Sequence, residues 1–239
     1  MALAFARQGA KVTVLGRKPE KAAQAEEELR ATGASALAVL ADVRDAAALD
    51  AAFTAGVAKH GPIHVLINGA AGNFPAPALG MSPNGFKAVV DIDLLGTFNA
   101  CRQAFAHLEK PGAVILNVSA GQAFMPAMLQ VHVCAAKAGV DMVTRVLAME
   151  WGPMGVRVNS ISPGPVDDTE GMARLAPTPE VKAKVMNDVP LRRFATKDEI
   201  AEIAMFLCSS KAAYITGAVI VADGGHSLAG FGMLGSNVL

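Results

Sequence analysis

The sequence predicts an α/β protein, a single doubly wound parallel sheet with helices on both faces. Three observations carry this. Strand-like and helix-like segments alternate along almost all of the 239 residues, the pattern of parallel strands joined by right-handed helical crossovers. The strand-like segments are continuous apolar runs without an apolar/polar alternation, as in strands buried on both faces. Each run is bounded by glycine, proline, asparagine or aspartate, the residues that punctuate elements. The chain is 52% hydrophobic, much of it alanine and valine, and its length suits one sizeable core. With no repeat, linker or low-complexity stretch, residues 1–239 read as one domain.

Residues 1–9 read as the back half of a helix stopped by Gly9. A strand over 11–15 ends at Gly16-Arg17, and a charged helix over 19–32 stops at Gly33. A strand over 35–40 ends in Asp42, and a helix over 46–59 stops at Gly61-Pro62. The strand over 63–67 runs into Asn68-Gly69-Ala70-Ala71-Gly72, followed by a long helix over 86–108 and a strand over 113–118. A second long helix covers 131–150, and a strand over 156–161 ends in Pro163-Gly164-Pro165. The polar segment 167–189, with two prolines, reads as a lid over the site. A helix over 197–208 and a strand over 218–221, ending in Asp223-Gly224-Gly225, complete the series.

Composition excludes several classes of function. The 21 basic and 21 acidic residues balance, so nothing favours nucleic acid or a membrane surface as partner. No apolar run approaches the length of a bilayer span. Cys101, Cys134 and Cys208 have no metal spacing, and their odd number argues against a disulfide framework. No signal peptide opens the sequence, and Ser-Asn-Val-Leu (236–239) is not a Ser-Lys-Leu-type address, which predicts a cytoplasmic protein.

Ligands of such sheets bind outside the carboxyl ends of the strands, which singles out Arg17, Asp42, Arg44, residues 68–72, Ser119, residues 163–165 and Asp223. Arg17, with Lys18 beside it, follows the strand where an acidic residue would bind an NAD ribose; two cations there favour a 2′-phosphate and hence NADPH. Lys137 and Asp141 are i and i+4 on one helix and share a face with Val133. Taken alone, such a pair is most often a surface ion pair, but the apolar run around Lys137 favours a buried one. Phe86, Val90, Asp93 and Thr97 form an inward stripe, which buries the Asp93 carboxylate and calls for a partner. Asp91, one turn after Lys87, reads as solvated. His132 points away from Lys137 on the helix and reads as structural or oligomer-facing.

The strand over 11–15 takes the second place in a dinucleotide-binding fold. The first strand and its glycine-rich turn, which would cradle a pyrophosphate at a helix N-terminus, do not occur before Arg17. The expectation is therefore an N-terminally truncated chain, with the start recorded too late, apolar strand edges left open, and weak NADPH binding from Met1 onward.

From Asn68 on the chain resembles the short-chain dehydrogenases/reductases, a Rossmann-like family. Asn68-Gly69-Ala70-Ala71-Gly72-Asn73-Phe74 is similar to that family's Asn-Asn-Ala-Gly loop, and residues 163–165, Thr169 and 216–225 to its nicotinamide loop and last strand. Within the family it looks most like the peroxisomal-type 2,4-dienoyl-CoA reductases, on Ala-Ala-Gly-Asn-Phe (70–74), Asp-Ile-Asp-x-x-Gly-Thr-Phe-Asn (91–99), Gln-Val-His-x-x-x-Ala-Lys-Ala-x-Val-Asp (130–141) and Gly-Pro-Val-Asp-Asp-Thr-Glu-Gly (164–171). The resemblance implies a catalytic set of Lys137, Asp93, Asp223 and Asp141. Arg17, Lys18, Asp42, Asn68, Gly69, Ala70, Lys137, Pro163, Gly164, Pro165, Val166 and Thr169 would hold NADPH. Arg44, Phe74, Ser82, Asn84 and Arg174 would meet an acyl-CoA, and the assembly would be a homotetramer.

The chain departs from the wider family at its catalytic centre. The usual tyrosine, four residues before the lysine, is Val133; the usual serine position is Ala120; the one tyrosine is Tyr214, far away in sequence. A carbonyl reductase needs a donor for its alkoxide, whereas a dienoyl thioester, once reduced, can take its proton on carbon from water. The expected reaction is NADPH-dependent reduction of 2,4-dienoyl-CoA to 3-enoyl-CoA in unsaturated fatty acid β-oxidation. The alternatives are another enoyl or oxo reduction in the same family, or a non-catalytic protein of this fold, which the missing glycine turn favours.

Overall fold

The computed structural model describes residues 1–228. Six parallel strands are present: β1 Val12–Gly16, β2 Ala36–Leu40, β3 Val65–Asn68, β4 Val114–Val118, β5 Arg157–Pro163 and β6 Val219–Ala222. The helices are α1 Ala2–Arg7, α2 Pro19–Arg30, α3 Ala46–His60, α4 Pro83–Val90, α5 Gly96–Ala104, α6 Val131–Trp151, α7 Glu170–Leu175, α8 Pro179–Asp188 and α9 Lys197–Cys208. Each predicted strand and helix forms, with ends shifted by a residue or two, except in the two regions described below.

Local chemistry explains the boundaries. Asp45 caps α3 by accepting from the amides of Ala47 and Ala48, and Gly61 ends the helix at φ 84°, a backbone region in which a side chain is strained. Thr196 and Glu199 form a capping box at the start of α9.

Both faces of the sheet are covered. On one face Leu49 and Phe53 of α3, Cys101 and Ala104 of α5 and Leu147 of α6 pack against Ile115 and Val158. On the other, Ile200, Ala204 and Leu207 of α9 meet Leu116 and Ile161, while α1 and α2 cover β1 and β2 through Ala6, Leu29 and Ala36. Side chains buried on both faces account for the absence of alternation in the strand sequences.

The sheet is split. β1 pairs only with β2, and β3, β4, β5 and β6 form a separate set in that order. Between the facing edges of β1 and β3 lies a cavity of about 810 Å³, walled by Val12 and Val14 on one side and Val65 and Ile67 on the other, with Phe5 and Ala100 above and below. No strand among the described residues fills it.

Two regions differ from expectation. The predicted helix over 86–108 begins earlier, at Pro83 behind the Ser82 cap, and is interrupted by a π turn over Asp91–Leu95. Such turns keep helical hydrogen bonding while inserting a residue, so an apolar period cannot reveal them. The predicted lid, 167–189, holds two short helices, α7 and α8, capped by Thr169 and Thr178. No helix among the described residues is long and apolar enough to cross a membrane.

Candidate active site

The carboxyl ends of β1, β3, β4, β5 and β6 face one side of the molecule, and the candidate residues collect there. Lys137, in the second turn of α6, is nearly buried. Its ammonium donates to the Val118 carbonyl at the end of β4 (3.0 Å) and lies 3.3 Å from Asp93 Oδ2. Asp93 sits in the π turn with no exposure, and its Oδ1 accepts from the Gly72 amide at 2.6 Å. Burial pushes the Asp93 carboxyl above its ordinary range, against the opposing pull of Lys137, the Gly72 amide and His132. One turn along α6, Asp141 is also buried and also pushed up by burial, opposed by the Ser119 hydroxyl, by Arg145 and Lys137, and by the Ser160 hydroxyl.

Val133 packs with Val89 and Ala136 one turn before Lys137. An apolar side chain therefore stands beside the ammonium, and the site has no phenol there. Tyr214 is fully exposed and precedes β6, at the amino-terminal end of the strands.

Three of the named residues have partners that the sequence does not reveal. Asp223 forms no ion pair with Lys137 among the described residues; its two carboxylate oxygens accept from the amides of Gly225 and Ser227. It follows a strand end, where turn amides compete for a carboxylate. Burial acts to raise its carboxyl, but the Ser227 and Gly225 hydrogen bonds outweigh this and hold it low. The Asn68 side-chain amide donates inward to Asn117 Oδ1 (2.9 Å) and Cys101 Sγ, which leaves only its backbone to line the strand end. Of the two readings of His132, the structural one fits: it is wholly buried within the chain, its ring edge-on to Phe74 at 4.5 Å.

The remaining candidates fall into two groups. At the β1 end, Arg17 is exposed and 3.7 Å from Asp42, whose main partner is Arg44 at 2.6 Å. The Arg44 hydrogen bonds hold the Asp42 carboxyl down at about 2. Lys18 stands at the N-cap of α2, and Gly69 and Ala70 are exposed after β3. At the other end, Phe74 lies against the Ser82-capped start of α4, where Asn84 is exposed, and Arg174 of α7 reaches the Asn73 carbonyl at 3.5 Å. Arg44 belongs with Arg17 rather than with Phe74. Pro163, Gly164, Pro165 and Val166 lead out of β5. The Gly164 amide bonds the Ala222 carbonyl, a Cβ there would meet Asp223 Cα at 2.6 Å, and Thr169 Oγ1 donates to Val166 O.

Sequence reasoning did not find the polar chain behind the site. Asn68 donates to Asn117, Asn117 to Thr144 Oγ1 (2.8 Å), and Thr144 Oγ1 meets Ser160 Oγ at 2.8 Å. Each lies in a strand or helix that reads as apolar, so only an isolated polar residue in such a run could have signalled it.

A nicotinamide dinucleotide fits the two ends of this row. The exposed, loosely paired Arg17 offers a guanidinium to a phosphate, and the Lys137 ammonium stands at the opposite end beside Asp93. Among the described residues no glycine-rich turn joins a strand to a helix between them. Nor is there a group of three metal-ligating side chains among them.

A parallel α/β sheet with a buried lysine–aspartate pair and basic side chains at its strand carboxyl ends is the arrangement of a dinucleotide-binding oxidoreductase. The family described as enoyl-(acyl carrier protein) reductase matches residues 1–227, and the chain belongs to the short-chain dehydrogenases/reductases. It is 42% identical over 221 residues to the peroxisomal 2,4-dienoyl-CoA reductase [(3E)-enoyl-CoA-producing] of Danio rerio, covering 92% of this chain and 74% of that one. It is 41% identical over 231 residues to the probable 2,4-dienoyl-CoA reductase [(2E)-enoyl-CoA-producing] of Bacillus subtilis strain 168, covering 95% and 91%. A short chain dehydrogenase crystal structure from Bacillus anthracis superposes with a TM-score of 0.84 at 36% identity, covering 94% and 89%. The zebrafish relative's name places that protein in the peroxisome, which differs from the cytoplasmic expectation; residues 236–239, which entered that expectation, lie outside the described residues.

Proposed function

We propose that the protein reduces 2,4-dienoyl-CoA thioesters to 3-enoyl-CoA with NADPH, in the breakdown of unsaturated fatty acids, as a homotetramer. The observation that carries this reading is the buried Lys137–Asp93 pair with valine where a proton-donating phenol would stand. A bound nicotinamide would supply the hydride for the far carbon of the diene. Charge then moves to the thioester oxygen, where the fixed ammonium of Lys137 stabilises it in a water-poor setting. Asp93 and the Val118 carbonyl hold that ammonium in place, and no alkoxide has to be protonated. Water protonates the dienolate on carbon. Phe74, Ser82, Asn84 and Arg174 line the approach for the acyl-CoA, and Arg17 with Lys18 takes the 2′-phosphate. That two relatives differ in the position of the product double bond makes the product the sharpest test.

The experiment is NADPH oxidation with 2,4-hexadienoyl-CoA and, in parallel, with a 3-oxoacyl-CoA, with products separated by chromatography. The reading expects turnover of the dienoyl substrate only, with the 3-enoyl product. Formation of 2-enoyl-CoA would show that a protein donor delivers the proton at the far end, and oxo reduction would show that another residue replaces the phenol.

A further inference from the structure

His132 occupies the first turn of α6, with no exposure, and neither ring nitrogen has a partner among the described residues. A buried imidazole with both nitrogens unpaired is costly, and such groups in native proteins call for an explanation. A phenylalanine would fill the same space and pack as well on Phe74, so space-filling does not account for an imidazole.

Its surroundings supply an account. The ring meets Phe74 edge-on. Two residues before Phe74, the Gly72 amide holds Asp93 Oδ1. Between them, Asn73 Oδ1 is buried without a partner, and Asp93 Oδ2, facing Lys137, makes no hydrogen bond. Thus the 70–74 loop, the π turn and α6 each carry a buried polar atom without a hydrogen bond, that of Asp93 ion-paired with Lys137. Asn73 Oδ1 and Asp93 Oδ2 can only accept. A neutral imidazole carries one N–H and one lone pair, so among these buried unpaired atoms the donor is on His132.

We propose that His132 is a positioning residue: across one water molecule, its ring N–H holds Asp93 Oδ2 facing Lys137, while the ring seats Phe74 and with it the 72–74 loop. A bridged contact of this kind is nearly as strong as a direct one. The inference rests on the reading of Lys137 and Asp93 as the working pair.

The test uses His132→Phe, with His132→Leu in reserve and His132→Gln as the conservative variant. His132→Phe removes unpaired polar atoms and keeps the ring, so it melts at or above the wild-type temperature. Its kcat nonetheless falls by about tenfold or more, since a loosened catalytic group is expensive, while KM for the dienoyl-CoA stays within about twofold. His132→Gln, which keeps an N–H donor, recovers part of kcat. A second readout needs no turnover. In protein labelled at aspartate carboxyl carbons, with Asp93→Asn assigning the signal, the Asp93 titration moves up by about one unit in His132→Phe, as loss of a hydrogen bond to a carboxylate requires. The other groups that face Asp93 are Lys137 on α6 and the Gly72 amide, which both variants retain; Asp91 is paired with Lys87, and Asp141 lies a turn beyond Lys137. Wild-type kcat and an unmoved titration in His132→Phe, or in His132→Leu if the first does not fold, overturn the proposal. If the wild type does not reduce dienoyl-CoA, the proposed function fails, and the titration alone still decides the role of His132.

Discussion

In the proposed reaction the chemistry centres on the Lys137 ammonium, which is held by one carbonyl and one carboxylate. Lys137→Ala is expected to lower dienoyl-CoA turnover about a hundredfold with the fold intact, the size associated with removing a positioned charge from a transition state. Steady-state kinetics checks this, and retention of more than about a tenth of wild-type turnover refutes the role. Arg17→Asp should weaken NADPH far more than NADH, because the variant presents a carboxylate to the 2′-phosphate. Calorimetric titration of both cofactors reads the difference, and equal losses would show that Arg17 does not sense the phosphate. The burial of Asp93 was legible from the stripe Phe86, Val90, Asp93 and Thr97, since a carboxylate on an inward face needs a partner. The capture of Asp223 by its own turn was not, because amides two and four residues ahead carry no side-chain signature. Nor was the burial of His132, since helical phase gives its direction and says nothing of the loop that folds over it.

At the scale of elements, the chain Asn68–Asn117–Thr144–Ser160 ties β3, β4, α6 and β5 together through groups with no exposure at Asn117, Thr144 and Ser160. Thr144→Val keeps the shape and leaves Asn117 Nδ2 without its acceptor and Ser160 Oγ without its partner, so the unfolding free energy should fall by about 2 kcal/mol. Urea denaturation measures it, and an unchanged midpoint would mean the chain contributes little. Gly164→Ala acts elsewhere: its Cβ would meet backbone of Asp223, which cannot rotate away. A loss of about 1–3 kcal/mol is expected. Most elements could be read directly, because continuous apolar runs and glycine stops are local signals. The π turn at Asp91–Leu95 could not. It adds one residue to a helix whose apolar stripe hardly changes, yet it sets where α5 begins to face α3.

Across the whole molecule, two sets of carboxylates oppose each other with pH. Asp42 and Glu199 are both held at about 2 by hydrogen bonds from Arg44 and Arg193. Their contribution is present above the ordinary carboxylate range and is lost as pH falls through it. Asp93 and Asp141 are raised, so folding favours their protonated forms, and stability declines as pH climbs from 3.8 through their folded values. Asp141→Asn should therefore melt higher than the wild type at neutral pH, with the difference closing in the acid range below 3.8. Scanning calorimetry across pH decides it, and a gap that persists in acid would point to a cause other than ionisation. The broken sheet has a dynamic counterpart. No backbone hydrogen bond crosses from β1 to β3, so β1 and β2 are fastened to the rest by side-chain packing and by a few side-chain hydrogen bonds, such as Lys59 to the Ala36 carbonyl and Thr13 with His60. Segments fastened in this way open below the global unfolding energy. Native-state hydrogen exchange should find the amides of β1 and β2 less protected than those of β4 and β5, and uniform protection would show a single cooperative unit. Since Arg17 rides on the looser half and Lys137 on the tighter one, a bound dinucleotide would let go at its phosphate-bearing end first.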